Sequence, residues 1–224
     1  MKTNLLLILG LVFIYSCGTG NSESADSDST KVEPVVDLNP VFVEPHDLPI
    51  ECKYEGEVFD VQSWQDLNGK NYFIRTVSEK QEDSTFNNEA GDWPTSSQSL
   101  FAYHYVGNDK DHFRRISTIS YAIKNCEFDL IMSHIIESFG LTDLNKNDIA
   151  EVTFMCRKTC TSDVSPSDQL LLMLENGKEY ALEGFSEVFG EGGTYEVSKE
   201  FNSAPEGFLE HAKSVWAIYS GEIL

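Results

Sequence analysis

Basic side chains are scarce in this sequence. Lysine and arginine together number 16 against 37 aspartates and glutamates, a formal net charge of −21. Nucleic acid and anionic membrane surfaces are gripped through clustered Lys and Arg, so this deficit argues against both as partners. Local catalytic signatures are missing as well. The chain has no Gly-x-Ser-x-Gly, no His-Glu-x-x-His, no phosphate loop and no Cys-x-x-Cys, which removes the motif-bearing hydrolases, zinc peptidases, nucleotide enzymes and dithiol oxidoreductases. A pair of carboxylates for glycoside hydrolysis needs no local motif and stays open.

What is present begins with "MKTNLLLILGLVFIYSCGTG". An early lysine precedes an apolar run from Leu5 to Tyr15 that is too short to span a bilayer comfortably, the pattern of a signal peptide. The run stops at Ser16-Cys17-Gly18, which resembles the lipobox of bacterial lipoproteins, with Ile14 and Tyr15 bulkier than that pattern. The resemblance implies cleavage after residue 16 and lipidation of Cys17; an ordinary secretory leader with a coincidental cysteine is the alternative. Residues 17–50 are rich in Ser, Asp and Glu and then in proline (Pro34, Pro40, Pro45, Pro49). With few large apolar groups to offset ordering entropy, they read as an acidic tether that stiffens toward polyproline geometry. Glu23, Asp26 and Asp28 resemble the acidic signal that sends some lipoproteins to the outer leaflet. Expected localisation is therefore an exported, membrane-anchored lipoprotein at the outer membrane or cell surface. Residues 51–224 have the length of one domain and recurrent Phe, Tyr, Trp, Ile, Leu and Val to fill a core.

That domain reads as mainly β, an antiparallel sheet or sandwich of hairpins with one C-terminal α-helix. "GEVFDVQSWQ" and "KNYFIRTVSE" flank an Asp66–Gly69 turn, "SLFAYHYV" and "FRRISTISYAI" flank "GNDKDH", and "QLLLMLE" and "KEYALEGF" bracket Asn176-Gly177, each a hairpin signal. Near the C-terminus, Phe208, Leu209, Ala212, Val215, Trp216 and Tyr219 recur at helical spacing after Pro205, which predicts a helix. "CEFDLIMSHIIESFG" fits either period. We read it as a strand, with Phe128, Leu130 and Met132 on one face and Ile131, Ile135 and Phe139 on the other, because "IAEVTFMCRK" then supplies a hairpin partner.

Besides Cys17 the chain carries Cys52, Cys126, Cys156 and Cys160. In an oxidising compartment four cysteines permit two bridges and three connectivities. If the strands around Asp143 pair about the centre of their loop, Cys126 falls opposite the region just past Cys160, so Cys126–Cys160 is the first choice. Cys52 and Cys156 are left to pair or to stay as buried thiols. A Cys156–Cys160 bridge would need the chain to curl tightly, and Cys-x3-Cys without a second pair of Cys or His makes a poor metal site.

The loop "TDLNKNDIAEVTF" places Asp143, Asn145, Asn147 and Glu151 at positions one, three, five and nine, with the Ile149 carbonyl at seven. Alternate oxygen donors suit a hard cation, and a structural calcium is the one cofactor this sequence suggests. An EF-hand is excluded, because Asp148 and Phe154 stand where Gly and Glu are needed. The spacing resembles calcium loops between strands of integrin-type repeats, with Asp148 in place of their glycine. The alternative is a turn satisfied by Asx-type hydrogen bonds to its own backbone. His104, His134 and His211 sit within strand or apolar-periodic segments and read as structural, His46 lies in the tether, and "TSDVSPSDQ" reads as a turn.

Several phrases in order, "AYHY", "ISYAIKNCEFDL", "TDLNKNDIAEVTF", "CTSDVSP" and "ENGKEYALEG", resemble a family of small bacterial lipoproteins known as surface polysaccharide biosynthesis proteins, linked to lipopolysaccharide or O-antigen. The likeness runs from roughly Tyr54 to Gly184. It implies cysteines at Cys126 and Cys160, where that family has them, and it implies no reaction or catalytic residues. The expectation is a non-enzymatic surface lipoprotein whose partners are the membrane, through its anchor, and a surface glycan or its assembly machinery. An exported glycan hydrolase and a calcium-stabilised adhesion module are the rivals.

Overall fold

The computed structural model describes residues 36–83, 93–108 and 112–221; the leader, Cys17 and most of the expected tether lie outside them. In chain order the elements are β1 (Asp37–Phe42), a 3-10 turn at Pro45–Asp47, β2 (Glu57–Asp66), β3 (Gly69–Val77), β4 (Gln81–Asp83), β5 (Thr95–Asn108), β6 (His112–Cys126), β7 (Asp129–Thr142), β8 (Glu151–Thr161), β9 (Asp168–Glu175), β10 (Lys178–Phe185), β11 (Glu187–Val188), β12 (Glu191–Gly192), β13 (Tyr195–Val197), a 3-10 turn at Lys199–Ser203 and α1 (Phe208–Tyr219). Among the described residues the strands form two antiparallel sheets and a small β11–β12 ribbon. The first sheet runs β1-β2-β3-β5, with β4 beside one end of β5 and β6 along its other side; the second runs β13-β10-β9-β8-β7. The expected mainly-β fold with a C-terminal helix is what the chain adopts.

Alternation decides which side chains meet. Trp64, Phe73, Leu100, Ala102 and Ile119 of the first sheet face Met132, Val152, Phe154, Cys156, Leu170, Leu172 and Leu174 of the second. Strand β7 meets β1, β3, β5 and β6, so it crosses the first sheet rather than running along it. Each outer face also carries a cover, complete over the core of the second sheet and partial on the first. Helix α1 lays Phe208, Ala212 and Trp216 on Met155, Leu171, Met173, Tyr180 and Leu182, the stripe that the helical spacing marks. On the far side of the first sheet, Cys52 packs on Val61, Ile74, Tyr103 and Tyr105, with Val43, Leu48 and Tyr54 beside it.

The four predicted hairpins are β2–β3, β5–β6, β7–β8 and β9–β10. In the last, Asn176 (φ 47°) and Gly177 (φ 82°) both take positive φ, the requirement of a two-residue turn that matches strand twist. Glycine is also needed there for space, since a Cβ at residue 177 would lie 2.8 Å from the Ile116 carbonyl oxygen.

Three expectations need correction. First, the tether does not extend to residue 50. Asp37, Val41 and Phe42 pair with Gln65, Ser63 and Gln62, with a register irregularity between Asp37 and Val41. Pro40 is tolerated because β1 is an edge strand, where one missing N–H costs little. Second, the alternation in β7 breaks. Its pairing with β8 slips between Ile135 and Gly140, and Ser138 spans the bulge by donating to Ile135 O (2.6 Å) and accepting from Met155 N–H (2.7 Å). Phe139 thereby joins Met132 in the inter-sheet core while Ile135 faces the helix side, and Phe128 lies outside the strand, exposed. Third, Cys52 and Cys156 do not pair. Both are buried thiols, one on the outer face of the first sheet and the other between the sheets, with the thickness of a sheet separating them.

Cys126 and Cys160 are bridged, with Cα atoms 5.8 Å apart, as the register about the Asp143 loop predicts. The bond joins the end of β6 in one sheet to β8 in the other. With 34 residues of separation, replacing both cysteines by serine is expected to cost about 3–4 kcal/mol through freed chain entropy. A urea midpoint that does not fall in the double variant would refute this.

Candidate functional site

The Asp143 loop closes the β7–β8 hairpin. Lys146 (φ 58°) and Asp148 (φ 62°) adopt left-handed backbone, which Asp accepts better than most residues. Asp143 Oδ1 accepts Asn147 N–H (3.0 Å) and Oδ2 accepts Asp148 N–H (3.1 Å). Asn145 Oδ1 accepts from Asn147 N–H, and Asn147 Oδ1 from Ile149 N–H. Their side-chain amides both donate to Glu175 Oε1 on β9, at 2.6 and 2.8 Å. Glu151 is fully buried and accepts from the Leu144 N–H and the Thr142 hydroxyl. Burial pushes its carboxyl up, against the pull of those two donors. The side-chain oxygens nominated as ligands thus receive hydrogen bonds from the protein, the Asx-type arrangement. Among the described residues no group of three or more His, Cys, Asp and Glu is placed to hold a metal ion.

The same loop is fastened to the opposite sheet. Asp66, 1% exposed, accepts Ala150 N–H and the Trp64 indole at 3.2 Å each through Oδ2, and Asn68 N–H at 2.8 Å through Oδ1. Leu67 N–H donates to Asp148 O. The β2–β3 turn and the Asp143 loop therefore form one hydrogen-bonded corner.

The histidines divide by environment. His104 has its Nε2 2.9 Å from Asn71 Oδ1 and lies among Trp64 and Phe73. His134 has its Nε2 3.3 Å from Thr76 O and packs against Phe59 and Phe154. Burial holds His104 down from 6.5 to about 3, and burial together with the charge of Arg75 holds His134 down from 6.5 to about 4. Both read as structural, as does half-buried His211, which burial also pushes down.

Arg75 is the feature that sequence reasoning passes over. It is fully buried between the sheets, and its Nε and Nη2 reach Asp60 Oδ1 and Oδ2, each at 2.7 Å. Gln62 donates to the same carboxylate. The guanidinium lies 5.2 Å from the Phe59 ring, 5.3 Å from Phe139 and 6.0 Å from Phe154, so aromatic faces replace part of its lost hydration. Arg75 Nη1 and His134 Nδ1 have no hydrogen-bond partner among the described residues. The available signal was parity: in "KNYFIRTV" residue 75 shares the face of Phe73.

Paired carboxylates do occur. Glu183 of β10 and Glu196 of β13 stand directly opposite in register, and with Asp168, Phe185 and Tyr195 they line a cavity of about 420 Å³. Opposed antiparallel residues hold their Cβ atoms about 4.5–5.5 Å apart, within reach of two-carboxylate chemistry. Both glutamates are exposed, however, and Lys158 Nζ sits 2.7 Å from Glu183 Oε1. Neither has the apolar enclosure that a general acid needs. Asp163 instead serves its turn, accepting from Ser165 N–H at 2.9 Å.

No protein-family model, curated protein or solved structure matches the chain. The likeness to surface-polysaccharide lipoproteins rests on the quoted phrases alone. Among the described residues no helix is long and apolar enough to cross a membrane.

The buried charges give two testable outcomes. Asp60→Asn leaves Arg75 without its counter-charge and is expected to destabilise the fold by about 3–5 kcal/mol, whereas Asp60→Leu with Arg75→Met recovers most of that loss. Equal urea midpoints for Asp60→Asn and the parent would contradict it. His104 and His134 stay neutral in the fold while the unfolded chain protonates below 6.5. Their contribution is complete above that pH and is lost as pH falls toward 4, on the order of 1 kcal/mol per pH unit for each. Urea midpoints at about pH 7 and pH 5 test this, and His134→Leu should shrink the difference; a variant with an undiminished difference speaks against it.

Proposed function

We propose that this protein is an exported lipoprotein, anchored through Cys17 at the outer membrane or cell surface, that supports the assembly or retention of surface polysaccharide without catalysing a reaction. The observation that carries the reading is the Cys126–Cys160 bridge, which ties one sheet to the other and suits an oxidising compartment outside the cytoplasm. The apolar leader, the Ser16-Cys17-Gly18 junction and the acidic stretch behind it support the anchor. The phrases shared with surface-polysaccharide lipoproteins support the process, and the charge of −21 suits solubility beside a hydrated glycan layer.

A glycan hydrolase is the second reading, favoured by the opposed Glu183 and Glu196 in their cavity. Their exposure and the Lys158 ion pair weigh against it. An ion at the Asp143 loop would brace a turn rather than create an activity.

Deleting the gene is expected to reduce or shorten surface polysaccharide, read by gel profile and sugar analysis. Complementation with the parent chain restores it, Cys17→Ser does not, and Glu183→Gln with Glu196→Gln does. An unchanged glycan profile in the deletion strain would overturn the reading; failure of the double glutamine variant alone would transfer it to the hydrolase.

A further inference from the structure

The outer face of the first sheet is only partly covered. The segment between β1 and β2 lays Val43, Leu48, Cys52 and Tyr54 over Val61, Ile74, Tyr103 and Tyr105. Beyond that cover, Tyr72 of β3 and Phe113 of β6 line a groove of about 490 Å³, together with Asp47, Ile50, Glu51 and Lys70. The two rings meet nearly edge to face, centroids 5.1 Å apart and planes at 66°. Lys70 Nζ lies 5.8 Å from the Tyr72 centroid. Ile50 is 76% exposed, a large apolar side chain left in water beside two aromatic rings.

The wall of this groove is prebuilt. Pro45 and Pro49 fix their own φ, and a 3-10 turn at Pro45–Asp47 sets the direction of the chain. Cys52 N–H donates to Pro49 O at 2.9 Å. Two tyrosines rising from β5 pin the chain just beyond Cys52: Tyr103 Oη accepts Glu55 N–H at 3.2 Å, and Tyr105 Oη donates to Lys53 O. A ligand entering here has little chain to order, which spares binding one of its main costs.

The donor set matches one ligand chemistry. A pyranose ring has an apolar C–H face and a rim of hydroxyls. Tyr72, Phe113 and Ile50 offer apolar surface to the former. The Asp47 and Glu51 carboxylates accept hydrogen bonds from hydroxyls, and the Lys70 ammonium donates them. The size falls within the range of about 300–1,000 Å³ found for small-molecule sites. Two carboxylates against one ammonium in the groove, on a chain of net charge −21, repel an anionic sugar. We infer that the groove bounded by Asp47–Glu51, Lys70, Tyr72 and Phe113 binds a neutral, hydroxyl-rich segment of an oligosaccharide. The surface-polysaccharide reading above supplies the source of that ligand.

The test uses the whole chain carrying Cys17→Ser, probed with an array of neutral hexose oligosaccharides and of uronate-bearing ones, then by calorimetry on the binders. Neutral members bind and uronate-bearing members do not. Tyr72→Ala and Phe113→Ala each weaken binding at least tenfold. Because those two rings also pack, Ile50→Ser and Glu51→Gln are made alongside them; both positions are exposed, and both variants weaken binding severalfold at an unchanged melting temperature. No binding by any neutral oligosaccharide, a preference for uronates, or full affinity in Ile50→Ser and Glu51→Gln overturns the inference. A deletion phenotype without glycan binding sinks the groove alone, and glycan binding with unaltered surface polysaccharide sinks the cellular reading alone.

Discussion

A full positive charge sits in the middle of this sandwich, and much of the rest is arranged around it. Arg75 is wholly buried, where an unbalanced guanidinium would be untenable. Its carboxylate partner is opposite it in the β2–β3 register, so a slip of one residue would move Asp60 to the other face. The rings that flank the guanidinium come from β2, β7 and β8. One side chain therefore ties the pairing within a sheet to the packing between sheets. The bulge in β7 belongs to the same arrangement, because without it Phe139 would point away from Arg75.

Whatever depends on local chemistry could be read from the sequence. Asn176-Gly177 announces its turn because positive φ at two successive positions restricts the choice of residue. The C-terminal helix announces itself by period. The Cys126–Cys160 bridge comes from counting outward from one loop. What escaped depends on partners distant in the chain. Arg75 looks like any half-exposed arginine until Asp60 and three aromatic rings are placed around it. The slip at Ser138 leaves no pattern, since serine bridges a bulge only in three dimensions. Residues 37–50 looked like tether because proline and acid suit both a linker and an edge strand with its return. The Asp143 loop was legible as a polar turn, and both of its readings were visible; its fastening to Asp66 was not.

Polar groups are used in three distinct ways. Between the sheets they are few and paired or enclosed by rings. At the corner of Asp66 and Glu151 they receive backbone N–H groups and fix loops in place. On the surface the carboxylates stay in water, and the aromatic groups that accompany them, at Tyr72 and Phe113 or at Phe185 and Tyr195, form open grooves. The first two uses set the fold, and the third leaves aromatic side chains and carboxylates together in open surface grooves.

The bridge between Cys126 and Cys160 has a consequence beyond its share of stability. It closes a ring of chain that includes β7, the Asp143 loop and nearly all of β8. The tip of that loop, Lys146 to Asp148, is exposed and would be a natural place for a protease to cut. A cut there opens the ring but leaves its two ends covalently joined, so neither half of the sandwich can diffuse away. Wherever a nicked molecule is not replaced by fresh synthesis, that difference separates a damaged protein from a lost one.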